Sequence, residues 1–336
     1  MKINSLNRWS SLSLSRGRTL RNRVVVPPMA SATADENGFV TAKTLEHYER
    51  LSQASVGLLI VEYTFVHSTG KSEDFQLGIS NDEQIPGLKR LAKVIRQSGA
   101  MAGIQLSHGG GKSERALTGG RLMAPSAIAT PVKGRQLEMP EAMTSADIEL
   151  WKSAFVAASD RAVQAGFELV ELHSAHGYGF NQWLSGITNQ RPDIYGGNLE
   201  GRGRLLLEIV CEIRARHPGL LISVRIPGQD FIEGGLQTSD SIIVAQTLEK
   251  AGVDLIHVSS GIGGWRRPDS RNGEGYLVPE ATLIQAQLQI PVIGVGGIQS
   301  GAFIDEALQE KKFSLAAVGR AVLQDPQGWS CKNMGC

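Results

Sequence analysis

Within ELHSAHGYGFNQWLS (171–185), His173, His176 and Tyr178 place two ring N–H donors and a phenol on one short segment. Two imidazoles aimed at a single substrate oxygen would stabilise negative charge as it develops, and the phenol would deliver a proton beside them. The same histidines could instead tie a loop to backbone carbonyls. A metal centre is disfavoured, because no cysteine and no HExxH pattern lies near to complete a ligand set. Gln105 and Arg225 form a second group. They read either as a core hydrogen bond and an ion pair, or as contacts to an electron-poor heterocycle, the amide meeting its imide edge and the guanidinium the charge it gains on reduction. A third group comprises Gly296 and Gly297 in PVIGVGGI (291–298) and Gly319 and Arg320 in LAAVGRAV (315–322). Glycines let backbone N–H groups approach a phosphate, and the arginine adds a bidentate partner. Either glycine turn alone reads equally well as a tight βα connection.

These residues need elements to position them. Short β-branched runs alternate with helical patterns along the chain: Val24 to Pro28, Gly57 to Glu62, Met101 to Leu106, Leu169 to His173, Leu221 to Ile226, Leu255 to Ser259, Val292 to Val295 and Leu315 to Val318. Helical patterns fall near 42–54, 86–98, 146–165, 201–216, 239–251, 279–287 and 301–310. Eight strands, each followed by a helix, close into a (β/α)8 TIM barrel; a doubly wound open sheet is the alternative. All three chemical groups then lie at the carboxyl ends of strands, on one face. The long stretch 107–143 is a glycine-rich insertion after the third strand, of the kind that tends to be functional. NQRPDIYGGNLEGRGR (189–204), by contrast, reads as a structural turn entering a helix.

The length of 336 residues with 41% hydrophobic content suits a large α/β domain, and residues 1–336 are expected to form a single one. With 34 basic and 33 acidic residues the net charge is +1, which leaves no broad positive field for nucleic acid or an anionic membrane. The longest apolar run, Val56 to Val61, is far too short for a membrane span, so a soluble protein is expected. Cys211, Cys331 and Cys336 make no disulfide framework and suggest a reducing, cytoplasmic setting. The first 34 residues are basic and serine-rich, as in a transit peptide. Alternating Leu12 and Leu14 and the Arg16-Gly17 turn favour instead a hairpin feeding the first strand.

In order along the chain, RNRVVVPPM (21–29), GLLIVE (57–62), IQLSHGGGK (104–112), APSA (124–127), the His-x-x-His-Gly-Tyr stretch, YGGNLEGRGR (195–204), VDLIHVSSG (253–261) and AVGRAVLQDP (317–326) resemble the old yellow enzyme family of FMN-dependent ene-reductases and NAD(P)H dehydrogenases. The resemblance implies a (β/α)8 barrel whose N-terminal β-hairpin closes the floor, with FMN across the strand ends. It places Pro28, Met29, Ala30 and Tyr63 beside the flavin, Gln105 and Arg225 at its pyrimidine ring, and Gly296, Gly297, Gly319 and Arg320 at its phosphate. His173 and His176 match the pair that binds a substrate carbonyl or a phenol, and Tyr178 the proton donor. NAD(P)H would reduce FMN, and an activated alkene (enone, maleimide or nitroalkene) would then take hydride at its β-carbon and a proton at its α-carbon.

Ala30 stands where many members carry Thr or Cys, Tyr63 is bulky for its place, and Ala32 lacks a substrate-side tyrosine of some relatives. Cys331 and Cys336 cannot supply four thiolates, so no iron–sulfur cluster is expected. The loop GIGGWRRPDSR (261–271) concentrates Trp265, Arg266, Arg267 and Arg271, and Trp265 and Arg266 are expected to border the substrate mouth. The small-molecule substrate is the expected partner, with homo-oligomerisation left open. Two rival readings remain: a phosphate-binding barrel lyase or isomerase, and a flavin-binding protein with little turnover. No lysine ends a strand, which argues against a Schiff-base aldolase.

Overall fold

The computed structural model describes residues 6–264 and 267–335. A short antiparallel hairpin, β1 (Leu12–Ser13) and β2 (Thr19–Leu20), precedes β3 (Val24–Val26), β4 (Leu58–Phe65) and β5 (Met101–Ser107). The insertion contributes a two-stranded pair, β6 (Met123–Ala124) and β7 (Glu141–Ala142). β8 (Leu169–His173), β9 (Leu221–Pro227), β10 (Leu255–Ser259), β11 (Val292–Gly294) and β12 (Leu315–Ala317) follow. β3, β4, β5, β8, β9, β10, β11 and β12 pair in parallel and close on themselves, so the expected eight-stranded barrel is the fold.

Closure follows from the period-2 pattern of the strands. Val25, Leu58, Ile60, Met101, Leu169, Leu221, Leu255, Ile293 and Leu315 point inward and pack as one interior cluster. Their strand neighbours Val24, Val26, Leu59, Val61 and Ile104 point outward into the layer under the helices. Gly103 is inward as well, and a Cβ there would sit 3.0 Å from Leu169, so a larger residue would crowd the barrel interior. The hairpin's Leu14 and Leu20 belong to the interior cluster, which makes the hairpin the barrel floor.

The outer layer holds α1 (Ala42–Ser52), α2 (Ile85–Gln97), α3 (Ser145–Ala165), α4 (Gly179–Leu184), α5 (Leu199–Arg216), α6 (Thr238–Lys250), α7 (Val278–Gln285), α8 (Gly301–Gln309), α9 (Arg320–Gln324) and α10 (Pro326–Asn333). Thr144 caps α3 in a reciprocal capping box with Asp147, and Gly166 ends it in the left-handed conformation at φ 86°. Among the described residues no helix is long and apolar enough to cross a membrane.

Several boundaries differ from expectation. β3 stops at Val26, because Pro27 and Pro28 have no N–H to continue the ladder. β4 runs on past Glu62 to Phe65, with an irregular register between Val61 and Thr64. Its extension is held by a returning segment: the Phe65 N–H donates to the Leu77 carbonyl and the Ile79 N–H to the Phe65 carbonyl, both at 3.0 Å. α4, α9 and α10 lie outside the expected helices; α4 and α9, of six and five residues, are too short to show a helical period. Cys211 is a free, exposed thiol, whereas Cys331 is disulfide-bonded, which qualifies the reading of the cysteines as a reduced set.

Candidate active site

The carboxyl ends of the barrel strands open into one cavity of about 1270 Å³. Pro28, Met29, Ala30, Tyr63, Gln105, His173, His176, Tyr178, Arg225, Gly297, Gly319 and Arg320 all line it. Gly296 does not line it: at φ 126° it packs against the Tyr276–Leu277 backbone, where a Cβ would come within 2.7 Å of the Leu277 nitrogen. Trp265 and Arg266 lie outside the described residues. Their neighbour Arg267 does line the cavity, with its guanidinium 5.8 Å from the Tyr276 ring centroid. Arg271 of the same loop is committed to Glu280 in a bidentate pair at 2.6 and 2.7 Å. Arg191, read as part of a turn, pairs with Asp193 and donates to the Pro125 and Met143 carbonyls.

The histidine pair is aimed by a tight turn. His173 ends β8; the chain then reverses through His176 and Gly177, both left-handed at φ 61° and 74°. A non-glycine residue in that region is strained. The His176 N–H donates to the Ser260 carbonyl at 3.1 Å and the Gly177 N–H to Asn181 at 2.8 Å, which fixes the turn before α4 begins. The two imidazole rings lie 5.1 Å apart and nearly perpendicular, with the Tyr178 ring 4.8 Å from His173. His173 Nδ1 accepts the Ala175 N–H at 3.4 Å, so its own proton sits on Nε2. His176 Nε2 meets Ser259 Oγ at 2.6 Å. If Ser259 donates there, His176 carries its proton on Nδ1. Burial, reinforced by the Arg225 charge, holds both imidazoles well below their ordinary pKa, so each is a neutral donor at pH 7. Lys112, from the insertion, donates to the His176 carbonyl at 2.7 Å with its ammonium 4.0 Å from the Tyr178 ring centroid. Burial pulls its pKa down to about 8.

Beneath this set lies a buried polar floor. Glu171, fully buried, accepts from Gln105 Nε2, Ser223 Oγ and His257 Nδ1, each at 2.9 Å. Burial alone would raise its pKa; His257, Arg225 and Ser223 outweigh it and hold the carboxylate below its usual value. With its amide nitrogen bound to Glu171, Gln105 keeps its carbonyl oxygen available as an acceptor. Arg225 pairs in register with His173 on one side and His257 on the other. Burial lowers its pKa to about 10, so it remains charged at pH 7, and its buried Nε has no hydrogen-bond partner. A buried cation lining a cavity is a natural partner for an electron-rich ligand. Arg225 and the Gln105 carbonyl thus offer a donor and an acceptor to the same cavity, as the carbonyl and N–H edge of a flavin pyrimidine ring would require. The sequence patterns assign no role to Ser259, Glu171, His257 or Lys112. Glu171 carries a usable signal all the same, because a charge two residues before His173 on the same strand must face the same interior side.

Gly319 and Arg320 belong to the lining of the same cavity. Gly319 places its backbone beside Met29 and Pro27, where a Cβ would sit 3.3 Å from the Met29 sulfur. Arg320, which lines the cavity, has one long contact, Nη2 to the Tyr276 hydroxyl at 3.5 Å.

The segment carrying Ala30 is held from below by Glu62. Its carboxylate accepts the Ser31 N–H at 3.1 Å and the Ser31 hydroxyl, and lies 3.4 Å from the Tyr48 hydroxyl. Burial lifts the Glu62 pKa from 4.5 to about 7, despite the Ser31 and Tyr48 donors. Between pH 4.5 and 7 the folded protein therefore binds more protons here than the unfolded chain, and Glu62 makes stability fall as pH rises. Urea unfolding of wild type and Glu62→Gln across that window is expected to show the wild type losing stability relative to the variant toward pH 7. A constant difference would contradict this assignment.

The model of the family described as NADH:flavin oxidoreductase / NADH oxidase matches residues 13–331. An NADPH dehydrogenase of Halalkalibacterium halodurans is 40% identical over 312 residues, covering 93% of this chain and 89% of its own. Among solved structures, a 2-naphthoyl-CoA reductase complex superposes with TM-score 0.90 at 24% identity, over 97% of this chain but only 52% of that one. An old yellow enzyme homologue from Zymomonas mobilis superposes with TM-score 0.83 at 22% identity, covering 97% and 92%.

Proposed function

The chain belongs to the NADH:flavin oxidoreductase / NADH oxidase family, an FMN-dependent oxidoreductase group that draws on NAD(P)H, and from that membership we propose that it reduces the C=C bond of small activated alkenes. The observation that carries this reading is the convergence of two neutral imidazoles and a phenol on one cavity that a buried arginine and glutamine also line. Bound FMN would supply the redox step, between hydride from the nicotinamide and the alkene β-carbon. Gln105 and Arg225 would hold its pyrimidine edge, Gly297, Gly319 and Arg320 its phosphate, and Pro28, Met29, Ala30 and Tyr63 would flank its rings.

His173 and His176 would bind the substrate's carbonyl, nitro or imide oxygen. Neutral donors are well matched to this role, since they stabilise charge that appears only as the β-carbon is attacked, without binding an anion tightly beforehand. Tyr178, its phenol kept protonated by burial, would deliver the proton to the α-carbon. The polar floor centred on Glu171 would keep Gln105 and Arg225 oriented through the cycle.

The purified protein should carry a flavin band that NAD(P)H bleaches anaerobically and an enone restores. Bleaching without recovery by any enone, maleimide or nitroalkene would favour the reading of a flavin binder with little turnover. Mass spectrometry of the released chromophore should give FMN; FAD would contradict the assignment of the phosphate wall. Arg320→Ala is expected to weaken FMN retention roughly tenfold or more, the scale of one charge-assisted phosphate contact. Fluorescence of flavin released on dilution measures this. Equal retention in wild type and variant would remove Arg320 from the phosphate site.

A further inference from the structure

Lys112 is buried, a costly placement for a cation, and its hydrogen bond at 2.7 Å goes to the His176 carbonyl rather than to a carboxylate. Its Nζ stands 4.0 Å from the centroid of the Tyr178 ring. An aromatic face attracts a cation, and does so more strongly out of water. A phenol that gives up its proton attracts it more strongly still, because the negative charge spreads from the oxygen into the ring.

Two turns hold this arrangement. Lys112 ends the single helical turn Gly110–Lys112 of the insertion, and buried Gln182 on α4 joins that turn to the one carrying His176 and Tyr178. The Gln182 side chain accepts the Gly111 N–H at 2.9 Å and donates to the Gly109 carbonyl at 3.0 Å and the Gly177 carbonyl at 2.7 Å. Gly110, left-handed at φ 59°, lets Gln182 come this close: a Cβ there would lie 2.5 Å from its Oε1. The Gly179 N–H adds a bond to the His108 carbonyl at 2.9 Å. The ammonium is thus held over the phenol by paired backbone turns. Burial lowers its pKa to about 8, with Glu73 partly offsetting this and Arg135 adding to it, so the side chain is charged at pH 7. The neighbouring His173 and His176 are neutral there, and the Lys112 charge is one of the influences that keep them so.

Resting on the alkene-reductase reading, we propose that Lys112 is a positioning residue for the proton-transfer step, its charge over the ring stabilising Tyr178 as the phenol gives up its proton. The Tyr178 O–H bond breaks as the substrate Cα–H bond forms. The electron pair stays on the phenol oxygen and spreads into the ring that faces the ammonium. The Lys112 N–H bonds remain intact, and one solvent proton restores the phenol before the next turnover.

The test uses the FMN-loaded enzyme at pH 7, reduced anaerobically with one equivalent of NADPH and mixed in a stopped-flow instrument with an enone or a nitroalkene. Lys112→Met removes both the charge and the hydrogen bond, whereas Lys112→Gln keeps a donor for the His176 carbonyl and removes the charge alone. Retained flavin and a cooperative melt check that each variant is folded. Both variants are expected to reoxidise their flavin with the enone at least about tenfold more slowly than wild type, the scale of a desolvated cation–π contact. Reoxidation by the nitroalkene, whose nitronate leaves unprotonated, should keep its wild-type rate, as should flavin reduction by NADPH. In a Tyr178→Phe background neither Lys112 change should slow enone reduction further, because no hydroxyl remains for the charge to act on. A structural role in holding the His176 turn would instead slow both substrates and would persist without the hydroxyl. Equal slowing of enone and nitroalkene, a wild-type enone rate in either variant, or additive losses in the double variants would overturn this role and leave the alkene-reductase reading intact. Failure of every enone to reoxidise the wild-type flavin would overturn both.

Discussion

Tyr178→Phe is expected to slow enone reduction by on the order of 10²- to 10⁴-fold while flavin reduction by NAD(P)H proceeds at its wild-type rate. The separation follows from where protons are needed. Hydride transfer from nicotinamide to flavin requires no acid, whereas the substrate α-carbon must be protonated before product leaves. Tyr178 is buried, with burial holding its phenol firmly in the protonated form, and its ring stands 4.8 Å from that of His173. Nitroalkenes provide the internal control: a nitronate is stable enough to depart unprotonated, so these substrates should still reoxidise the variant's flavin quickly. Stopped-flow traces of the two half-reactions decide it. Equal slowing of both would mean that Tyr178 positions the nicotinamide, and no slowing of enone reduction would assign the proton to water or to Tyr63.

The second large effect concerns the oxyanion. A phenolate bound over oxidised flavin should give a long-wavelength charge-transfer band, and the double change His173→Ala, His176→Ala should abolish it. Each hydrogen bond to a charged oxygen contributes about 1.5–3 kcal/mol, so losing two weakens phenol binding by about 10²-fold or more. Both side chains are buried, which makes a control for folding necessary. Retained flavin and a cooperative melt in the double variant would serve, with Asn replacements as a second, less disruptive pair. A band of similar affinity in the folded double variant would make the histidines structural ties of the turn between β8 and α4.

Much of this architecture is readable from the chain because the barrel is a local repeat. Each strand carries its own period-2 pattern and each helix its own caps, so the count of eight and the polar strand ends follow without knowledge of long-range contacts. Boundaries are less legible where tertiary pairing overrides local preference. β4 extends past Glu62 because residues 77–79 return to pair with it, a contact separated by a dozen positions. Site residues that end strands, such as His173, are marked by position alone. The partners of Glu171, Ser259 and His257 are not marked in this way, because they lie 52 to 86 residues away in the chain. The glycine motif groups Gly296 with Gly297 as candidates to hold a phosphate. In the structure Gly296 also lets the Tyr276–Leu277 backbone pass, a requirement that the motif itself does not distinguish.

Coupling of nicotinamide oxidation to alkene reduction through one flavin bound in this cavity is tested most directly by an anaerobic titration. NADPH bleaches the flavin band stoichiometrically, and one equivalent of an enone is then added. Full recovery of the oxidised spectrum, with formation of one equivalent of the saturated ketone, is the expected result. A colourless protein, or a bleached one that stays reduced in the presence of every enone, maleimide and nitroalkene offered, would contradict it.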